Sequence, residues 1–244
     1  MRTTKSQQAK THRLIIEAAV ELMTQQGFDA TTMKQIARAA KLGDATIYKY
    51  FPNKEKLVLA YFEQSIGDAL AQFGKTKGQQ DFTLHERLQL LVDSLLEILL
   101  ADREFVVIAR QLVERAPMLL LGNDLPGKPL LKQAFVQMLE QGEAAGEILP
   151  CGFKPSVGAL LADYVYGVIA YWLRDESEAF GDTTQLVDLS LGVLVLTLRS
   201  GLVDKLLELG GFVLRSQLAR LMHKGTGLLD LLHVARRGLE GVRR

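Results

Sequence analysis

Apolar positions recur at helical spacing along almost the whole chain. Near the start, Leu14, Ile15, Ala18, Ala19, Leu22 and Met23 form one stripe, predicting an amphipathic helix from about Thr11 to Gln26 that Gly27 stops. In "FDATTMKQIARAA", Thr31 or Thr32 is the expected N-cap of a second helix, with Met33, Ile36, Ala37 and Ala40 on its apolar face. The short connection "KLGD" leads to a third helix, from about Asp44 to Tyr50, that Pro52 ends. At about 100° per residue, Ile47, Tyr50 and Phe51 share one side of it, while Thr46, Tyr48 and Lys49 share the other. Asp44 either caps this helix or faces toward DNA, with the cap favoured, and Asn53 is expected to cap a fourth helix whose first turn carries Lys54 and Lys56.

Three short helices, the second and third joined by a tight turn below a basic outer face, describe a helix-turn-helix. From Leu57 onward the periodic segments remain helical. The fourth helix runs to about Phe73, and Thr83 with Glu86 makes a capping box for a helix to about Leu100. Further helices are predicted over Arg103–Ala116, Lys128–Ala145, Pro155–Arg174 and Thr183–Arg199, with "LLLGNDLPGKP" as a loop. The expected fold is all-α: a helix-turn-helix domain over 1–56, then a larger helical domain over 57–244. Its last segment, about 202–244, reads as two helices broken near Gly225, with Arg236, Arg237, Arg243 and Arg244 at its end; bracing a dimer is favoured over lidding the pocket or touching a membrane surface.

Two helices suit pairing between subunits. Gly158, Leu161, Ala162, Val165, Ile169 and Trp172 line one face of the first, where small residues permit close approach. The second is apolar around nearly its whole circumference, with Leu186, Leu189 and Val193 as its interface candidates. The remaining helices would enclose an effector cavity. Phe105, Ile108, Leu112, Phe135, Met138 and Tyr164 are its candidate liners, although the same side chains suit an ordinary core. Few charges fall on these faces, which favours a neutral or lipophilic effector.

Net charge is only +1, yet it is unevenly spread. Met1 to Lys56 holds ten basic residues against five acidic, and the remainder nineteen against twenty-three, so a +5 head precedes a −4 body. That asymmetry points to a polyanion partner at the N-terminal end. The single cysteine, Cys151, fits a reducing compartment. Met1 to Arg13 has no apolar segment, and the apolar runs Val157–Leu173 and Leu189–Leu198 are too short or too interrupted by charge to span a bilayer. A cytoplasmic protein without a membrane anchor is expected. His12, His85, His223 and His233 show no metal-ligand spacing, and no nucleophile, phosphate-loop or dinucleotide motif occurs. The expectation is therefore no enzyme, no metal and no cofactor, with His12 near enough to the basic head to approach a phosphate.

The stretch from Ala18 to Gln64 resembles the DNA-binding domain of TetR-family transcriptional regulators. The motifs that carry this are "G-F-x-x-T-T", then "I-A-x-x-A", then "T-I-Y-x-Y-F-x-x-K-E-x-L". Two positions depart from the pattern: Lys41 stands where a turn glycine is usual, and Gly43 where a serine cap is usual. The resemblance implies that Thr32, Thr46, Tyr48, Lys49 and Lys54 meet operator DNA, with Thr32 and Lys54 on phosphates. It further implies a homodimer paired through the last two helices as a four-helix bundle, and a ligand-responsive regulator, a repressor on a palindromic operator released by a small apolar effector. The alternative is a lipid-binding or lipid-carrier protein with a TetR-like body. Such carriers lack a competent reading helix, whereas Thr46, Tyr48 and Lys49 are in place here.

Overall fold

In the computed structural model, which describes residues 5–115, 125–202, 205, 208–213 and 215–216, the described residues form helices and no strand. The first four are α1 (Lys5–Gln26), α2 (Met33–Ala39), α3 (Asp44–Tyr50) and α4 (Lys54–Phe73). The next five are α5 (Leu84–Ala101), α6 (Arg103–Arg115), α7 (Lys128–Ala144), α8 (Lys154–Trp172) and α9 (Gly181–Arg199). Most of the expected 202–244 extension, including Gly225 and its terminal arginines, lies outside the described residues, as does the whole of 116–124.

The caps behave as the side chains dictate. Thr32 and Gln35 form a reciprocal capping box at α2, Thr83 and Glu86 form another at α5, and Asn53 accepts from the Lys56 amide at 2.9 Å to start α4. Thr31, by contrast, is fully buried, and its hydroxyl donates to the Gly27 carbonyl at 2.7 Å. Asp44 does not cap α3: Gly43 is the N-cap, without a side-chain hydrogen bond, and Asp44 is exposed in the first turn. The first helix begins at Lys5, earlier than its apolar stripe suggests, because the polar residues before Thr11 continue the helix without burying a face. Within the stripe, Leu14 is exposed and Ile16 takes the core position.

One hydrophobic core runs without a break from Ile15 to Leu198. Helices α1, α2 and α3 bury Ile15, Ile16, Ala19, Met23, Ile36, Ala37 and Ile47 at the N-terminal end. Helix α4 belongs to both parts: Leu57 and Val58 seat the head, while Ile66 and Ala69 join the body against α5 and α7. Tyr61 marks the junction. Its ring meets Phe105 edge-on at 4.8 Å, and its hydroxyl donates to Asp102 at 3.1 Å. Burial, reinforced by that carboxylate, pushes the phenol well above its ordinary pKa.

In the body, Arg87 and Glu147 form a buried ion pair at 2.7 Å, and Glu147 also accepts from the Leu84 amide. This pair ties the start of α5 to the α7–α8 turn. The α8–α9 connection is held by Asp175, which accepts from Ser177 and from the backbone and hydroxyl of Thr183. Those donors hold its carboxyl far below the usual carboxylate range. The adjacent Phe180, at φ 57, turns its ring to Trp172 and to the Arg103 guanidinium.

The structure corrects the expected α8 interface. Gly158, Leu161, Ala162, Val165, Ile169 and Trp172 are all buried within the single chain, packed chiefly toward α7. A β-carbon at Gly158 would stand 2.7 Å from Val136 and 3.1 Å from the Lys132 carbonyl, so the small residue serves α7, not a second subunit. The opposite side of α8 exposes Leu160, Gly167 and Tyr171. Beside it, α9 exposes Leu186, Leu189, Val193 and Leu196, with Leu189, Val193 and Leu196 each near 60% accessible. The helical segment through α9 begins at Glu178, earlier than its apolar run, and by length and composition it is long enough to cross a membrane.

The described effector-lining candidates are spread over α6, α7 and α8. Phe105, Phe135 and Met138 are core residues, and Tyr164 hydrogen-bonds Ser190 at 2.6 Å between α8 and α9. Ile108 is half-buried beside the α1–α2 turn, and the Leu112 side chain lies outside the described residues. Among the described residues, a cleft of about 300 Å³ lies between Gln26–Ala30 and the Ile108 and Gln111 side of α6. A larger one, of about 730 Å³, runs between α1, α4 and α5, with Tyr61 and Asp102 in its wall.

Candidate nucleic-acid interface

Helix α3 is seven residues long and too short to hold its shape alone, so its position depends on what it buries. Ile47 is completely buried, Phe51 nearly so, and Tyr50 is packed partly against the core. The ring of His12 stacks on Phe51 with centroids 4.6 Å apart. Burial lowers the His12 pKa, against the opposing pull of Glu63, and the ring packs beside the anchor of α3.

The outward face carries different chemistry. Tyr48 is 52% accessible, Lys49 is exposed and Thr46 is half-buried beside them. Lys34, Arg38 and Lys41 are exposed on α2 and the following turn. Between Ala30 and Asn53 the only acidic residue is Asp44, against the four cations Lys34, Arg38, Lys41 and Lys49. A phenol, a hydroxyl and a run of ammonium and guanidinium groups over a rigidly anchored short helix can meet both base edges and phosphates.

Two expected contacts sit differently from one another. The hydroxyl of Thr32 remains exposed but is engaged in the α2 cap, donating to Gln35 Oε1 at 2.8 Å. Lys54 is half-buried, and its ammonium donates to the Phe28 carbonyl at 2.6 Å and lies 4.3 Å from the Phe28 ring centroid. The structure therefore gives Lys54 an internal partner, where the sequence suggested a phosphate ligand: it fastens the start of α4 to the α1–α2 turn. Sequence spacing could not show this, since Phe28 is 26 residues away.

Lys54→Met is expected to lower the thermal stability by about 2 kcal/mol, the scale of a charge-assisted hydrogen bond. The salt dependence of DNA binding should stay unchanged. An unaltered melting temperature with a shallower salt slope would return Lys54 to the phosphates.

A family model described as "Bacterial regulatory proteins, tetR family" matches residues 15–61. A second, "Tetracyclin repressor-like, C-terminal domain", matches residues 87–213, more than half of the 244-residue chain. The chain belongs to the TetR family. It is 28% identical over 171 residues to the HTH-type transcriptional regulator UidR of Escherichia coli (strain K12), covering 68% of this chain and 83% of that protein. It is also 28% identical over 96 residues to the "Fatty acid metabolism regulator protein" of Bacillus subtilis (strain 168), covering 39% of this chain. The match spans about half of that relative's length, 49%. Among solved structures, Salmonella enterica GusR superposes with a TM-score of 0.56 at 23% identity, over 81% of this chain and 98% of that one, a likeness of fold. Members of this family are ligand-responsive DNA-binding regulators of transcription.

Two features of this TetR-family chain escaped sequence reading. The exposed α8 row, Leu160 and Tyr171, was hidden because α8 is apolar on both sides. Lys41 was legible as a departure from the family pattern, but its backbone conformation was not.

Proposed function

We propose that this chain is a homodimeric transcriptional repressor that reads a palindromic operator and is released by a small apolar effector. The observation that carries the reading is the α3 arrangement: Ile47 and Phe51 lock the helix inward, while Tyr48 and Lys49 stand in solvent above it. The dimer is supported by the contiguous apolar rows on α8 and α9, which water would otherwise cover at substantial cost. Paired across a two-fold axis, those rows would place two reading heads for two half-sites. A cytoplasmic location without a membrane anchor follows from this use of α9, whose exposed half is then covered by the partner subunit. An acyl-type effector is favoured by the apolar body, and by the likeness to the fatty acid metabolism regulator protein of Bacillus subtilis. No observation favours the carrier reading, which has no use for an outward Tyr48–Lys49 face.

The test is selection of duplexes from a randomised library by the purified protein. The expected result is an inverted repeat whose half-site centres lie about one helical turn apart, or a multiple of it. Enrichment of single half-sites, or of no sequence, would overturn the reading. On the selected duplex, Lys49→Ala is expected to weaken binding by about 1–3 kcal/mol and to relax specificity at one position per half-site, as for a base-edge contact. Uniform weakening with a shallower salt slope would place Lys49 on phosphate instead.

A further inference from the structure

Helix α2 ends in a two-bond turn in which the Leu42 amide donates to the Ala37 carbonyl at 2.8 Å and the Lys41 amide to the Arg38 carbonyl at 3.0 Å. That geometry requires a left-handed residue at position 41, and Lys41 has φ 56. Glycine adopts this conformation without strain, whereas a β-carbon does not. Among the described residues Lys41 is the one non-glycine residue of the head with a positive φ. Among the described residues, no contact of the Lys41 side chain offsets the strain. The side chain is exposed, and among the described residues it makes no hydrogen bond or ion pair.

Unrewarded strain at an exposed residue is a pointer to an outside partner. The surroundings say which kind. In the stretch from Thr31 to Pro52, Lys41 is accompanied by exposed Lys34, Arg38 and Lys49 and by a single carboxylate, Asp44. It also occupies the turn between the two helices of the motif. When the second helix enters the major groove, the first crosses the sugar–phosphate backbone, so the turn between them rides along the groove edge.

We propose that Lys41 is a DNA-phosphate contact that positions α3, at a turn where glycine would fold better. This rests on the DNA-binding reading above. A two-fold dimer presents the residue twice, so removing it should reduce the salt slope, log K against log salt, by about 1.8 in magnitude.

The experiment compares the full-length wild-type chain with Lys41→Gly, Lys41→Asn and Lys41→Arg. Asparagine tolerates the left-handed conformation without the charge, and arginine keeps the charge without relieving the strain. The probe is a duplex selected by the wild-type protein, titrated between 50 and 200 mM salt, alongside thermal melts. For Lys41→Gly the melting temperature should rise by about 2–4 °C. The affinity deficit of the glycine and asparagine variants should be about twelvefold larger at 50 mM than at 200 mM salt. Lys41→Arg should keep the wild-type slope. A stabilised glycine variant with unchanged affinity and slope would overturn the proposal, and so would a melting temperature that falls together with affinity. A wild-type chain that binds no duplex would instead overturn the parent reading.

Discussion

Val193→Glu is expected to yield a folded monomer with little operator affinity. Val193 is 65% accessible in the single chain, so the carboxylate remains solvated there and the protomer should melt normally. In the proposed dimer the same position is covered, and two-fold symmetry puts two such charges into one interface. At about 2 kcal/mol for each uncompensated carboxylate, dimerisation should weaken roughly a thousandfold. Sedimentation equilibrium at micromolar concentration reads the association, and a gel shift reads the loss of paired half-sites. Ala162→Glu is the contrasting variant. Ala162 is fully buried against the chain's own core, so a charge there should unfold the body and not simply split a dimer. If Val193→Glu stays dimeric, the α9 face is not where the subunits meet.

Phe51→Ala carries the other large effect. The ring is almost completely buried, stacks on His12 and follows the last turn of α3. Its truncation should cost about 3–5 kcal/mol, the range for a buried phenylalanine that leaves a cavity. Loss of DNA binding should accompany loss of the thermal transition, because an unanchored seven-residue helix has no independent stability. Calorimetry decides the matter. A variant that melts like the wild type yet fails to bind DNA would move Phe51 from the anchor to the interface.

Local chemistry was readable from the sequence wherever the determinant lay within a few residues. The Thr83–Glu86 box, the Asn53 cap and the end of α4 at Phe73 all depend on neighbours three or four positions apart, and the structure has each of them. The division of α3 into Ile47 and Phe51 inside, with Tyr48 and Lys49 outside, follows from the same short-range periodicity. What failed was the choice between two apolar sides of one helix. On α8 both Leu161 and Leu160 are leucines, and only the position of α7 decides that the first is internal and the second exposed. Burial in a core and burial at a subunit interface draw on the same hydrophobic term, so composition cannot tell them apart. Lys54 failed for a related reason. A lysine beside a helix start satisfies the pattern of a phosphate ligand, yet a carbonyl and a ring brought in by the fold offer its ammonium a nearer partner.

The double membership of α4 bears on how this chain could exchange parts with its relatives. A reading head grafted at the expected 56/57 boundary would retain this chain's Leu57 and Val58 but pack them on foreign helices. A graft made after α4, in the Gly74–Phe82 connection, would move the problem to Tyr61, whose hydroxyl and ring are matched to Asp102 and Phe105. Neither seam is neutral. Successful chimeras should therefore carry α4 with the incoming head and keep a tyrosine facing Asp102, so that new operator specificity arrives without breaking the core that joins recognition to the body.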